Sequence, residues 1–245
     1  MDNIDNNKNY FSIIKWLSDM GHDEFLNFDL NYSQSLSNNT KLENFSNDSN
    51  NINSISKVFG FKKLKEFIAN SKFFNSIENF NNFNFYDGNT NADLMVIGDQ
   101  PSEEDLKHGK PFQGEIGNLL DAMLKAIKFD RKETYYTNLY ILNYKNLNKK
   151  IDYRTDFFLS ILHKQIELVS PKVIIMFGRD VTNLLSGNEL EISATRGKWF
   201  NIKIRDKNIN YNAISMFHPR DLLLKSENKK ETWKDLKDIR KKYSE

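Results

Sequence analysis

The chain of 245 residues contains no cysteine. Disulfides, thiolate zinc sites and cysteine-ligated iron–sulfur clusters are excluded on that ground alone. Long apolar runs are missing too. No stretch approaches the roughly 18 consecutive apolar residues of a membrane helix. The acidic, Asn-rich start also lacks the basic-then-apolar layout of a signal peptide. These absences predict a soluble cytoplasmic protein. A chain of this length can bury one good core, so one enzyme-sized domain behind a tail is expected.

Charge is nearly balanced but unevenly placed. Residues 1–60 hold four lysines (Lys8, Lys15, Lys41, Lys57) against eight acids, a net of −4; the whole chain is +2, so the remainder carries +6. A basic body is compatible with a polyanionic partner, because neutralising phosphates releases counterions. It is equally compatible with a surface that serves only solubility.

Near the start, Tyr10, Phe11, Ile13, Ile14, Leu17 and Met20 recur at helical spacing and predict a short amphipathic helix over residues 10–20. From Asn31 to about Ser56 the sequence is dominated by Asn and Ser, and it buries too little apolar surface to offset the entropy of ordering. The expected organisation is a helix and linker over 1–56, then a folded domain over 57–245. In that domain LMVIG (94–98), YYTNLY (135–140), KVIIMFG (172–178) and AISMF (213–217) read as buried strands. Helical patterns over 118–127 and 155–169 lie between them. This alternation predicts an α/β fold, a three-layer α/β/α sandwich around a mainly four-stranded parallel sheet. Ligands bind such sheets at the carboxyl ends of the strands.

Four segments stand at or just beyond those ends. Gly98-Asp99-Gln100-Pro101-Ser102 stops a strand and places an acid on the turn. Gly109-Lys110-Pro111-Phe112-Gln113-Gly114 brackets an aromatic with glycines just before a helix. Thr137-Asn138 is a polar pair inside an apolar strand, and Phe217-His218-Pro219-Arg220-Asp221 ends a strand in His-Pro. Pro219 biases His218 towards extended geometry. Each residue also has a plain structural role open to it: an Asx-turn for the acid, core packing for the Phe, a backbone hydrogen bond for the Asn, a satisfied structural histidine.

Order and spacing together carry more than any one segment. GDQPSEEDLKHGKPFQGEIGNLLDAML, YYTNLY, QIELVSPKVIIMFGR, TRGKW, MFHPRDLL and ETWKDL occur in register, and in that order they resemble the uracil-DNA glycosylase superfamily, in particular its iron–sulfur branch, family 4. The resemblance runs from about Leu64 to Lys242, roughly three quarters of the chain. It implies a DNA repair enzyme that flips uracil out of DNA, single- or double-stranded, and hydrolyses its N-glycosidic bond, working as a monomer. Asp99 and His218 match the catalytic acid and histidine; Phe112 matches the aromatic that stacks on the base, and Asn138 the amide that reads its edge. Gln100 and Pro101 fall in the substrate pocket, and Lys110, Arg196 and Arg220 are candidate phosphate contacts.

The chain departs from the family in three places. The four cluster ligands fall on or near Ser71, Phe74, Leu142 and Phe158, so no cofactor is expected. The acid is Asp99 where the family has Glu, and Arg220 replaces a small residue after His-Pro. Two other readings stay open: a superfamily member that binds uracil-containing or single-stranded DNA without turnover, and an enzyme of free nucleotides.

Overall fold

A computed structural model describes residues 54–71, 74, 83–142, 152–204 and 209–244. The chain divides into two units, residues 1–50 and 51–245, and every described residue belongs to the second. The helix expected over residues 10–20 and nearly all of the expected linker lie outside the described residues.

The strands are β1 (Asp87–Gly88), β2 (Leu94–Gly98), β3 (Thr134–Asn138), β4 (Val173–Phe177), β5 (Trp199–Lys203) and β6 (Asn210–Met216). The helices are α1 (Phe61–Ala69), α2 (Glu103–His108), α3 (Gly114–Ala126), α4 (Asp152–Val169), α5 (Arg179–Ser186), α6 (Ile192–Thr195), α7 (Pro219–Leu224) and α8 (Lys229–Ser244). They build an α/β fold on one mixed sheet, ordered β1-β3-β2-β4-β6-β5. Its four central strands pair in parallel, as the apolar runs predict. Antiparallel strands β1 and β5 close the two edges. An apolar-run reading misses both: β1 has two residues, and in β5 only Ile202 is buried.

β2 and β4 are apolar throughout, and β3 is equally buried along its length, because both faces of the sheet are covered. Met95, Ile97, Tyr135, Ile174 and Met176 enter one core with Leu64 and Ile68 of α1 and Phe158, Ile161 and Leu162 of α4. Their alternates Leu94, Val96, Tyr136, Val173 and Ile175 enter the other, with Leu120 and Leu124 of α3 and Leu236 and Ile239 of α8. Chain order then selects the functional edge. From β2 the chain continues to β3 on one side, and from β4 it continues to β5 and β6 on the other. The crevice opened by that divergence lies at the carboxyl ends of β2 and β4.

The four positions matched to cluster ligands are all buried. The Phe74 amide donates to Ser71 Oγ at 3.3 Å. Phe74 meets Phe158 edge-on with centroids 6.5 Å apart, and Phe158 meets Tyr140 at 5.5 Å. Leu142 belongs to the same core. Phe158→Ala is expected to cost about 3–5 kcal/mol, the range for truncating a fully buried Phe. A urea unfolding midpoint measures it.

Candidate active site

β2 ends at Gly98, and this residue organises the site. A Cβ built there would overlap Asn138 Oδ1 and would lie 2.8 Å from Phe112 Cζ and 3.4 Å from His218 Nε2. Three side chains from three separate segments therefore meet over one backbone position that has no side chain. Sequence alone marks Gly98 only as the end of a strand. Register explains how Asn138 reaches it: β2 and β3 are parallel, with Gly98 beside Asn138. The pairing continues into the loops, where the amides of Leu139 and Tyr140 donate to the carbonyls of Gly98 and Asp99 at 2.8 and 2.9 Å.

Asp99 follows on the turn, its side chain 26% exposed at the rim. Its Oδ1 accepts from the Gln100 amide at 2.7 Å. His218 Nε2 stands 3.6 Å from the same oxygen, and Arg220 Nη1 stands 3.6 Å from Oδ2. Gln100 and Pro101, which continue the turn, are buried. At the carboxyl ends of β2 and β3 two buried polar atoms have no hydrogen-bond partner, Gln100 Oε1 and Asn138 Nδ2. Orphaned polar atoms of this kind are costly in a packed interior, and they suit a site that completes its hydrogen bonds with a ligand.

His218 caps α7. Its Nδ1 accepts from the Arg220 amide at 3.1 Å, which places the proton of the neutral ring on Nε2, the nitrogen facing Gly98 and Asp99. Burial pushes the imidazole below its ordinary value; the Asp99 charge opposes that shift and the Arg220 charge adds to it. The ring is thus a neutral donor. Phe112 lies nearly parallel to it, with an interplanar angle of 19° and centroids 5.9 Å apart.

Phe112 is held in an unfavourable backbone conformation. Its φ is 54°, in the left-handed region. A non-glycine residue there carries a penalty of about 1–2 kcal/mol. A second glycine makes the turn possible, because a Cβ on Gly117 would overlap the Phe112 carbonyl. Asp105 holds the following residue. Its Oδ2 accepts from the Ser102 amide in a capping box at the start of α2, and its Oδ1 accepts from the Gln113 amide at 2.6 Å. Within GDQPSEEDL the Ser102-to-Asp105 spacing is the sequence signal of that box.

The candidate phosphate contacts are placed differently from one another. Arg220 sits at the rim beside Asp99. Lys110 is exposed and pairs with Asp87 at 3.3 Å. Arg196 turns inward: its Nε reaches Asp235, its Nη1 reaches Glu231 Oε2 at 3.0 Å, and its Nη2 reaches the Glu231 carbonyl and Asp235. That network ties the loop before β5 to α8, with all three guanidinium nitrogens engaged.

A profile of the Uracil DNA glycosylase superfamily matches residues 85–237, which contain every residue of this site. The chain belongs to that superfamily. It is 30% identical to a type-4 uracil-DNA glycosylase of Archaeoglobus fulgidus over 157 residues, 62% of this chain and 77% of the relative. Similar figures hold for type-4 enzymes of Sulfurisphaera tokodaii (29%, covering 63% and 71%) and Saccharolobus solfataricus (30%, covering 64% and 74%). This superfamily member cannot offer thiolates to an iron–sulfur cluster, since it has no cysteine. The apolar side chains at three of the four matched positions do not fit such a group either. Among the described residues no three His, Asp or Glu side chains gather as metal ligands, and no helix is long and apolar enough to cross a membrane.

The neutral state of His218 links stability to pH. The unfolded ring takes up a proton near its ordinary value of about 6.5, while the folded ring takes it up only at lower pH. The stability tied to the neutral ring is therefore complete above pH about 6.5 and declines as pH falls towards the folded value. Urea midpoints between about pH 7.5 and 5 should drop on acidification, and His218→Gln should flatten that part of the profile.

Proposed function

We propose that the chain excises uracil from DNA by hydrolysing its N-glycosidic bond, with DNA as the partner and without an iron–sulfur cluster. The observation that carries this reading is the meeting of Phe112, Asn138 and His218 over Gly98, with Asp99 and Arg220 at the rim. A base stacked in a duplex is out of reach, so it is extruded or taken from a single strand, at a cost on the order of a few kcal/mol. Stacking on Phe112 returns about 1–3 kcal/mol of that. The orphaned Asn138 Nδ2 is a donor that uracil O4 satisfies, while Asn138 Oδ1 accepts from N3–H; cytosine presents the reverse pattern and is rejected.

Negative charge gathers on the base as the bond breaks. The Nε2–H of neutral His218 stabilises it at O2, and one preorganised donor of this kind contributes about 3 kcal/mol or more. Neutrality matters here because the proton stays on His218 and the donor needs no reorganisation. The Asp99 carboxylate orients the attacking water, accepts its proton and stabilises the cationic sugar. Asp is one methylene shorter than the Glu of the family pattern, and the Gln100 amide fixes one of its oxygens. Arg220 exchanges Asp99 for a phosphate as DNA docks and so releases the other oxygen. Lys110 adds a second phosphate contact from the Phe112 loop. Leu223 and Leu224 follow on α7, and Leu224 is 78% exposed. An apolar side chain so placed fills the gap that an extruded base leaves in the stack.

Single-turnover incubation with uracil-containing single- and double-stranded oligonucleotides, followed by alkaline cleavage of abasic sites, tests the reading. Asp99→Asn and His218→Ala should each lower the rate at least about 100-fold with affinity little changed. DNA binding without any abasic product in the parent protein would favour the non-catalytic binder, and turnover confined to free nucleotides would favour the nucleotide enzyme. The phosphate contacts make a separate prediction. Affinity should fall with salt, and Arg220→Ala should reduce the slope by about one phosphate. Leu224→Ala should slow excision more from duplex than from single-stranded DNA, because only a duplex has a gap to fill.

A further inference from the structure

Arg131, between α3 and β3, is engaged on every guanidinium nitrogen. Nη2 donates to the carbonyls of Pro111 and Phe112 at 2.7 and 3.0 Å. Nη1 donates to both carboxylate oxygens of Asp121 at 3.0 and 3.1 Å, and Nε donates to Asp87 Oδ2 at 2.8 Å. The guanidinium carbon lies 4.4 Å above the Tyr136 ring, and the Tyr136 hydroxyl donates to Asp121 Oδ1 at 3.2 Å. Burial opposes ionisation of Asp87, but the hydrogen bond and charge of Arg131, joined by Lys110, outweigh it and hold the carboxyl below its ordinary range. One side chain thereby ties the edge strand β1, the helix α3 and the ring of a central-strand tyrosine to two consecutive carbonyls of the Phe112 loop.

Those two carbonyls flank the residue with the left-handed φ. Asp105 holds the amide on the far side of Phe112, at Gln113. Gln113 Nε2 also donates to these carbonyls, at 3.0 and 3.4 Å, but it belongs to the turn itself and moves with it; Arg131 is the anchor that joins them to β1 and α3, and without it relaxation to an ordinary φ would swing the ring away from Gly98. We propose that Arg131 is a positioning residue: by gripping the Pro111 and Phe112 carbonyls it fixes the left-handed turn that presents the Phe112 ring to a base, without touching DNA or the reacting atoms. The planar fork is what the task requires, since a lysine at 131 has no second nitrogen to bridge carbonyls and carboxylate at once. The effect on rate rests on the uracil-excision reading; the effect on the turn does not.

The test compares Arg131→Gln, Phe112→Ala and the double variant in single-turnover excision from a uracil-containing single strand, together with a crystal structure of Arg131→Gln. Arg131→Gln should lower the rate about 10- to 100-fold, as a displaced contact group does. The salt slope of DNA affinity should remain parental because no phosphate contact is lost. The double variant should be no slower than Phe112→Ala alone, since both changes remove one function. The crystal structure should show Phe112 out of the left-handed region. A parental rate in Arg131→Gln, or losses that multiply in the double variant, would overturn the proposal. If Arg131→Gln does not fold, Asp121→Asn loosens the anchor of the fork and should show the same pattern with a smaller loss; a parental rate there overturns it too. If the parent protein excises nothing, the uracil reading fails and the crystal structure decides alone, with an unchanged Phe112 φ sinking the clamp.

Discussion

The candidate site depends on one absent methyl group. With any side chain at position 98, the end of β2 would occupy the space in which Asn138, Phe112 and His218 meet. The three belong to different elements, a neighbouring parallel strand, a turn before α3 and the cap of α7. They converge because parallel pairing brings strand ends to one edge of the sheet and Gly98 leaves that edge open. The geometry of the candidate site is a consequence of register as much as of residue identity.

Around that opening the protein accepts local cost for rigidity. Phe112 keeps a left-handed backbone, His218 is buried in its neutral form, and Asn138 and Gln100 each retain an unsatisfied polar atom. Such features persist only where the surroundings over-determine them. Asp105 and Arg131 supply the restraint by binding backbone amides and carbonyls of the same loop from opposite sides. A preorganised donor and stacking ring act best when nothing must move at the moment of bond cleavage. Both side chains lie outside the set that motif matching picks out, yet they fix the positions of residues inside it.

Away from this edge, buried Ser71, Phe74, Leu142 and Phe158 occupy the positions that the family resemblance matches to metal ligands. Side chains fill that volume as part of a continuous core with Tyr140 and Phe157. Tyr140 and Leu142 directly follow the strand that carries Asn138, so this packing lies close in sequence to the site.

β2 and β4 were the most legible strands because a strand buried on both faces is mostly apolar, and LMVIG and KVIIMFG are. The edge strands were not: β1 is too short for a pattern, and β5 is only one-sidedly packed, so neither leaves a periodic trace. Motif order, through the family resemblance, nominated Asp99, Phe112, Asn138 and His218, and the fold brings the last three together over Gly98 with Asp99 beside His218. Motif order could not separate Arg220 at the rim from Arg196 turned inward, since two arginines look alike until the acids around them are known. Nor could it single out Gly98, Asp105 or Arg131. Periodicity acts over a few residues and determined the class of fold, the lack of cysteine excluded thiolate chemistry, and the family resemblance named the chemical types expected at the site. Which atoms meet there, and which charge holds which loop, is set by contacts between segments far apart in the chain, and tertiary structure alone decided them.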